Sequence, residues 1–403
     1  MAHLHLCWEL GGGLGHAGRL KMLAQALLAR GHRVTLSLRD LAHTRALLAD
    51  LDVPKFQAPV WQQRSSGLPP TQGNLAEILF LFGYLDAVPL RGMVDGWRAL
   101  FGQLRPDLVV ADFAPTAILA ARSLGLRSAS VGSGFYSPPP GKSLPPLRDW
   151  EPIPAQRLSS SEARVVGNAN LLLPSTAVPF EHGAELFLGD VAVLCTWPEL
   201  DHYGRAEHEA AHWVGPSLLS PGGLAPHWPP GEGRKVFAYL KAGHASHRAV
   251  LQALVDEGCR AVVYLPDVAG GAAPPVISPQ LHYADAPVDL TLALAEADLC
   301  ISHGGVATLA QALLAGVPLL MLPMQNEQFL IARQVARSGA GYNAALLQPD
   351  GDWRGAVRRI LEQDSYRLAA RAFAARRRGF DPKRMNDEIA ALLERQMAST
   401  QQS

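Results

Sequence analysis

The chain has 403 residues, 48% of them hydrophobic and 18% charged, enough for two cores at roughly 100–200 residues per domain. Lys plus Arg number 36 and Asp plus Glu 36, so there is no basic excess to displace counterions, which argues against nucleic acid as a partner. No window reaches ~18 uninterrupted apolar residues, and Met1–Trp8 is too short and too uncharged for a secretory leader, so a cytoplasmic protein without a transmembrane segment is expected.

His3–Trp8 is a strand-like run, Glu9–Gly15 a glycine-rich turn, and His16–Arg30 a helix with Leu20, Leu23, Ala24, Leu27 and Leu28 on one face. Gly31 stands where a left-handed cap is wanted, and Arg33–Leu38 is a second strand. Strand, helix and strand form a βαβ unit, which implies a parallel sheet. Residues 60–100 read as an irregular insertion carrying Trp61, Phe80, Phe82, Tyr84 and Trp97. Asp107–Ala111 is a strand buried on both faces, Pro115–Leu124 a helix with proline in its first turn, and Ser128–Val131 a further strand. Residues 132–160, with the run Pro138–Pro140, are expected to form a surface loop.

Proline and glycine crowd between Val214 and Lys235, Pro221 among them, which places a first domain at 1–214 and a connection at 215–234. The α/β rhythm then restarts, with strands expected at Val236–Leu240, Ala261–Leu265, Leu299–Ser302 and Val317–Leu322. Helical stretches at 245–257, 289–295, 305–314 and 325–337 alternate with them, giving a second parallel-sheet domain over 235–380. A terminal helix occupies 381–403, with Ser399–Ser403 as a frayed tail. The fold expected is α/β: two doubly wound, Rossmann-like domains facing a cleft. Arg376–Arg378, the one basic cluster, reads first as a solvated helix face and second as a contact for anionic lipid. Cys7, Cys195, Cys259 and Cys300 lack metal-ligand spacing and read as reduced core thiols.

Gly13, Gly15 and Gly18 satisfy Gly-x-Gly-x-x-Gly directly after a strand, and Asp40 follows the second strand about where a ribose-binding acid would stand. A tight strand–helix turn accounts for these glycines whatever the ligand. His16 departs from the dinucleotide pattern, because it sits at the helix amino terminus facing the crevice above the strand ends. Asp112 stands at the carboxyl end of its strand, on the same rim. A carboxylate on one ring nitrogen fixes the tautomer and stabilises the imidazolium, and such a general base is worth ~10²–10⁴-fold in rate. The other reading of Asp112 is a cap for the helix at Pro115.

In the second domain, Ile301-Ser302-His303-Gly304-Gly305-Val306-Ala307-Thr308 delivers a histidine, two glycines and a hydroxyl to a helix start. Backbone N–H groups can approach phosphate oxygens there, and the helix end adds about half a positive charge. Pro323–Gln328 places acid and amide side chains after the next strand, suited either to sugar hydroxyls or to capping the following helix.

The segment Ala286–Gly341 resembles the donor-binding signature of the family 1 nucleotide-sugar glycosyltransferases, which have the GT-B fold. The register holds without a gap from His303 through Gly304, Gly305 and Thr308 to Gly316, Pro318, Pro323, Glu327 and Gln328. Gly15-His16, Arg30-Gly31-His32-Arg33-Val34 and Pro106–Asp112 are similar to the family's amino-terminal domain. The resemblance implies His16 as the base for an acceptor hydroxyl, Asp112 as its partner, and His303, Gly304, Gly305 and Thr308 on the pyrophosphate. It implies Glu327 and Gln328 on the donor sugar, with Gly15, Val288 and Gln311 completing the donor set, and a terminal helix, 381–403, that crosses back to the first domain. The reaction implied is an inverting displacement on a UDP- or dTDP-linked sugar, with no cofactor and no metal. Asp50-Leu51-Asp52 and Asp350-Gly351-Asp352 match the acid pair of metal-dependent transferases but read as turn or surface acids.

Three positions depart from the family. Gln311 replaces the glutamate that grips both ribose hydroxyls, which leaves a deoxyribose donor open. Asp285 stands where many members stack the base on tryptophan, and Glu327 replaces an aspartate. Phe80, Phe82, Tyr84, Phe113, Phe135 and Tyr136 read equally as ordinary core or as the lining of a pocket for a small-molecule or lipid-like acceptor, Phe82, Tyr84, Phe113 and Phe135 foremost, with peripheral membrane contact as a further option. The competing readings are a nucleotide-sugar hydrolase of the same fold, an NAD(P)-dependent oxidoreductase using the first glycine loop, and a non-catalytic binding protein.

Overall fold

A computed structural model describes residues 1–205, 212–218 and 222–398. Pro221 and the tail Ser399–Ser403 lie outside these residues. The chain forms two units, Met1–Ser217 together with Asp381–Ser403, and Leu218–Phe380. The division therefore falls at Ser217/Leu218, inside the stretch 215–234. Part of that stretch is anchored in the second unit, where Leu224 N donates to Pro287 O (2.8 Å) and Asp289 N donates to Leu224 O (2.8 Å).

The first unit is built on six strands: β1 (His3–Trp8), β2 (Arg33–Leu38), β3 (Lys55–Gln57), β4 (Leu108–Asp112), β5 (Ser128–Gly132) and β6 (Val191–Leu194). They pair in the order β3-β2-β1-β4-β5-β6, all parallel. Every residue of β1 and β4 is buried, as strands covered by helices on both faces must be. The helix Leu14–Ala29 crosses from β1 to β2, and Gly31 takes the left-handed conformation (φ +81°) just past its end.

The terminal helix Pro382–Ala398 packs on Leu14–Ala29. Its Glu394 accepts from Arg30 Nε (2.9 Å) and from His32 Nε2 (2.9 Å).

The second unit repeats the plan with β7 (Lys235–Tyr239), β8 (Arg260–Tyr264), β9 (Leu281–Tyr283), β10 (Leu299–Ser302), β11 (Leu319–Met321) and β12 (Gly341–Asn343). The order is β12-β11-β10-β7-β8-β9, again all parallel. Its core joins Val236, Ala238, Ala261, Val263, Leu299, Ile301 and Leu320 of the sheet to Val250, Leu254, Val357 and Ile360 of flanking helices. All four cysteines are buried and free.

Two expectations are corrected. Residues 60–100 are not irregular, because they hold the helices Leu75–Phe80 and Ala87–Leu104. These are capped by Asn74 and Asp86, whose side chains accept from Glu77 N and Val88 N. Residues 132–160 are not a surface loop throughout: Gly132–Ser137 is buried, and the helix Ala155–Asn170 starts within the span.

Candidate active site

In a doubly wound sheet the crevice for a ligand opens where the strand order reverses, above the carboxyl ends of the two central strands. In the first unit that place lies between β1 and β4, whose last residues, Trp8 and Asp112, stand opposite each other. The chain leaves β1 through Gly11 (φ +79°) and Gly13 (φ +82°), and the helix Leu14–Ala29 then sets His16 in its first turn.

His16 Nδ1–H donates to Asp112 Oδ1 at 2.8 Å. The Trp8 ring stacks on the imidazole at 5.3 Å between centroids, with 11° between planes. Gly11 makes room for the ring: a Cβ there would stand 2.6 Å from His16 Nε2. With Nδ1 bound to a carboxylate, which only accepts, the neutral ring keeps its lone pair on Nε2, the atom a general base uses. His16 is 9% exposed, so the base is shielded without being sealed.

Asp112 is fully buried and takes three donors on two oxygens. Besides His16, Tyr136 Oη–H donates to Oδ1 (2.7 Å) and Arg19 Nη1 donates to Oδ2 (2.7 Å). Burial pushes the carboxyl up, but the Arg19 guanidinium, His16 and the Tyr136 hydroxyl outweigh it and hold Asp112 below the usual carboxylate range. Arg19 Nε also donates to Ser217 Oγ (3.2 Å), which fixes the guanidinium from its other side. Arg19 lies three residues from His16 on one helix face, a spacing legible in the sequence once His16 is taken as the base.

The aromatic candidates divide. Phe113 stacks on Tyr136 (4.4 Å) and lies 6.4 Å from the His16 ring, so it belongs to this site. Phe135 is 8% exposed and faces His202 (5.9 Å), and Phe82 is half-buried. Tyr84 is not a pocket residue. It is fully buried, and its hydroxyl meets Thr116 Oγ1 (3.1 Å) in the core. Glu9, unremarked in the sequence, is a buried acid whose carboxyl accepts from Thr116 N (2.9 Å) and Thr116 Oγ1 (2.5 Å), and burial pushes it up to about 7. It ties the end of β1 to the helix Pro115–Ser123.

The second unit offers the equivalent place between β10 and β7, where Ser302 stands opposite Tyr239. His303 follows β10 at once and is 3% exposed. Its Nδ1–H donates to Leu322 O (2.6 Å). Gly304 is left-handed (φ +78°), and a Cβ there would lie 3.2 Å from Gln328 O. Gly305 is the cap residue of the helix Val306–Leu314, which carries buried Thr308 and half-buried Gln311. Gln328 accepts at Oε1 from Met324 N (2.8 Å), which shapes the turn after β11. Glu327 is half-buried in the first turn of the helix Asn326–Arg337, and Val288 is buried, paired with Leu224. His244 and His247, on the loop and helix after β7, close on His303 with rings 5.5 Å and 5.4 Å away. Among the described residues no group of three or more His, Cys, Asp or Glu is placed to hold a metal ion.

Residues 271–394 match the model of the erythromycin biosynthesis protein CIII-like, C-terminal domain. The chain is 27% identical over 307 residues to the PGL/p-HBAD biosynthesis rhamnosyltransferase of Mycobacterium bovis, covering 71% of this chain and 67% of that protein. It is 26% identical over 352 residues to the zeaxanthin glucosyltransferase of Pseudescherichia vulneris, covering 81% and 82%. Its fold matches that of spinosyn rhamnosyltransferase SpnG complexed with thymidine diphosphate at a TM-score of 0.62 and 19% identity, over 96% of this chain and 100% of that one. The chain is similar to the family 1-type nucleotide-sugar glycosyltransferases. Its two α/β units are those of the GT-B fold. Among its described residues no helix is long and apolar enough to cross a membrane.

Proposed function

We propose that the enzyme transfers a hexose-type sugar from a nucleoside diphosphate to an acceptor hydroxyl with inversion, using His16 as general base and no metal. One observation carries this reading: the Asp112-bound Nδ1 of His16 leaves Nε2 as the base nitrogen in a ring held by Trp8 and Gly11. Abstraction of the acceptor proton by Nε2 builds an imidazolium against a buried carboxylate that Arg19 keeps ionised. Attack on the anomeric carbon from the face opposite the leaving phosphate inverts it.

The leaving diphosphate gathers negative charge as the bond breaks. His303, the backbone amides at Gly304 and Gly305, the Thr308 hydroxyl and the amino terminus of Val306–Leu314 are the groups suited to take it up. Glu327 and Gln328 would hold sugar hydroxyls, with Gly15, Val288 and Gln311 completing the donor set. Gln311, a neutral amide where a diol-gripping acid is usual, favours deoxythymidine over uridine, in keeping with the thymidine diphosphate in the spinosyn rhamnosyltransferase complex. Phe113 and Phe135 would face a small organic or lipid-like acceptor.

Thermal-shift and binding measurements against dTDP, UDP, NAD and NADP test the class. Stabilisation by dTDP, less by UDP and none by the dinucleotides is expected, and stabilisation by the dinucleotides alone would overturn it. Incubation with dTDP-sugars and no acceptor separates transferase from hydrolase, because rapid stoichiometric release of free sugar favours the hydrolase.

A further inference from the structure

His303 and His247 meet Nε2 to Nε2 at 3.4 Å, both buried. The carbonyl of Leu322 only accepts, so His303 must carry a hydrogen on Nδ1, and in the neutral ring its Nε2 is bare. The hydrogen between the two rings therefore belongs to His247, which donates to His303. In this state His303 has no N–H to offer a phosphate, although it stands at the head of the phosphate-suited loop. The other neutral tautomer is closed to it, since a bare Nδ1 would then face the Leu322 oxygen at 2.6 Å.

We propose that His247 is part of the donor-phosphate site, and that the His247–His303 pair takes up one proton from solvent when a nucleoside diphosphate group binds. This rests on the donor reading given above. The proton enters at His303 Nε2. Both Nε2–H groups then point toward the gap between the rings, a conflict that a phosphate oxygen lying against them relieves by accepting from both. The pair passes from two neutral imidazoles to one imidazole and one imidazolium, and the added charge is matched by the anion.

The surroundings favour this order of events. Burial, then the neighbouring rings of His303 and His244, hold His247 down to about 4 in the free protein. Burial likewise lowers His303; the Leu322 carbonyl and the Lys241 backbone oppose this, while the His244 ring and the Lys241 charge add to it. From the segment after β7, His244 and Lys241 thus act on His303 as charged and titratable groups, and Lys241 also through its backbone. From the segment after β11 the contact is the Leu322 carbonyl, and Gln328 is engaged with Met324 N. His244 differs from the pair. Its Nδ1 accepts from Ser246 N (3.2 Å), so its neutral ring already bears a hydrogen on Nε2 and needs none from solvent, which makes the expected count one proton.

The test is isothermal titration of the full-length enzyme with dTDP-glucose and UDP-glucose, whose esterified phosphates do not titrate near neutrality. Titrations run between pH 6 and 8 in buffers of different ionisation enthalpy. Uptake of roughly half a proton or more at pH 7 is expected, with affinity rising toward tenfold per pH unit as pH falls. His303→Gln, which presents a permanent N–H near the Nε2 position, is expected to abolish the uptake and flatten the pH dependence. His247→Gln can turn its amide oxygen to a charged His303 before ligand arrives, so it is expected to reduce the uptake. Binding without proton uptake in the wild type, or uptake that survives in His303→Gln, overturns the proposal and leaves the donor reading standing. Absence of binding by either sugar nucleotide and by dTDP and UDP overturns the donor reading itself.

Discussion

Replacing Asp112 by Asn tests the dyad through its hydrogen-bond accounting. Oδ2 accepts from Arg19 Nη1, a group that can only donate, so in the variant the amide oxygen must remain on that side. The new NH2 then takes the place of Oδ1 and faces His16 Nδ1 and the Tyr136 hydroxyl. Donating to Nδ1, it moves the imidazole hydrogen to Nε2, and the base nitrogen can no longer accept a proton. A wrong tautomer of this kind costs about 10³–10⁴-fold in kcat, or ~4–5.5 kcal/mol of barrier. The variant also leaves the buried Arg19 without its counter-ion, a stability cost of up to about 3–5 kcal/mol that the Ser217 and Tyr136 contacts temper.

The assay is kcat at saturating donor, with the acceptor that turns over fastest in a panel of phenolic and macrocyclic alcohols. It is paired with the dTDP dissociation constant and circular dichroism to confirm folding. Donor affinity within about twofold of wild type is expected, since every proposed donor residue except Gly15 lies in the other unit from Asp112. A folded variant with kcat within about tenfold of wild type would refute the dyad.

Three further outcomes follow from single contacts. Gly11→Ala places a methyl 2.6 Å from His16 Nε2 at φ +79°, so kcat is expected to fall at least about tenfold with dTDP affinity unchanged in titration; undiminished turnover counts against the ring position. Gly304→Ala meets Gln328 O at 3.2 Å and adds about 1–2 kcal/mol of left-handed strain, and is expected to weaken dTDP about five- to thirtyfold in the same titration while leaving the melting of the first unit alone. Glu394 is held down to about 2, first by Arg30 and then by His32, so its contribution is present above its ordinary value of 4.5 and lost as pH falls from there toward about 2. Because Glu394 is about a third exposed, Glu394→Gln is expected to cost under about 1 kcal/mol at pH 7 and only a small part of that at pH 2, as read by hydrogen exchange in Pro382–Ala398.

The sequence carried the centre of each unit better than its edges. β1, β2, β4 and β10 are continuous buried runs bounded by glycine or charge, and they stand out. β3, β9 and β12 have three residues each and are part-exposed, too short for any period to register. The helix Ala87–Leu104 is masked by Pro89, Gly92, Gly96 and Gly102, although the proline falls in its first turn and Asp86 caps it. His16, Asp112 and His303 were legible because strand ends near a change of direction bear ligands in such sheets. Gly11, His247 and the bond from Tyr136 to Asp112 were not. Tyr136 reaches Asp112 from a segment that reads as loop, and Gly11 matters only for the space its missing side chain leaves. His247 and His303 are brought together by the strand order, since β7 and β10 become neighbours with two strands intervening in sequence.

The central claim is base-assisted, metal-free transfer with inversion, and product stereochemistry tests it most directly. Wild-type enzyme and His16→Ala would be incubated in EDTA with α-linked dTDP-sugars and the responsive acceptor, and the product anomer read by proton NMR coupling. A β-linked glycoside from the wild type and loss of turnover in His16→Ala with dTDP binding retained are expected. An α-linked glycoside, or undiminished transfer by His16→Ala, would contradict the claim.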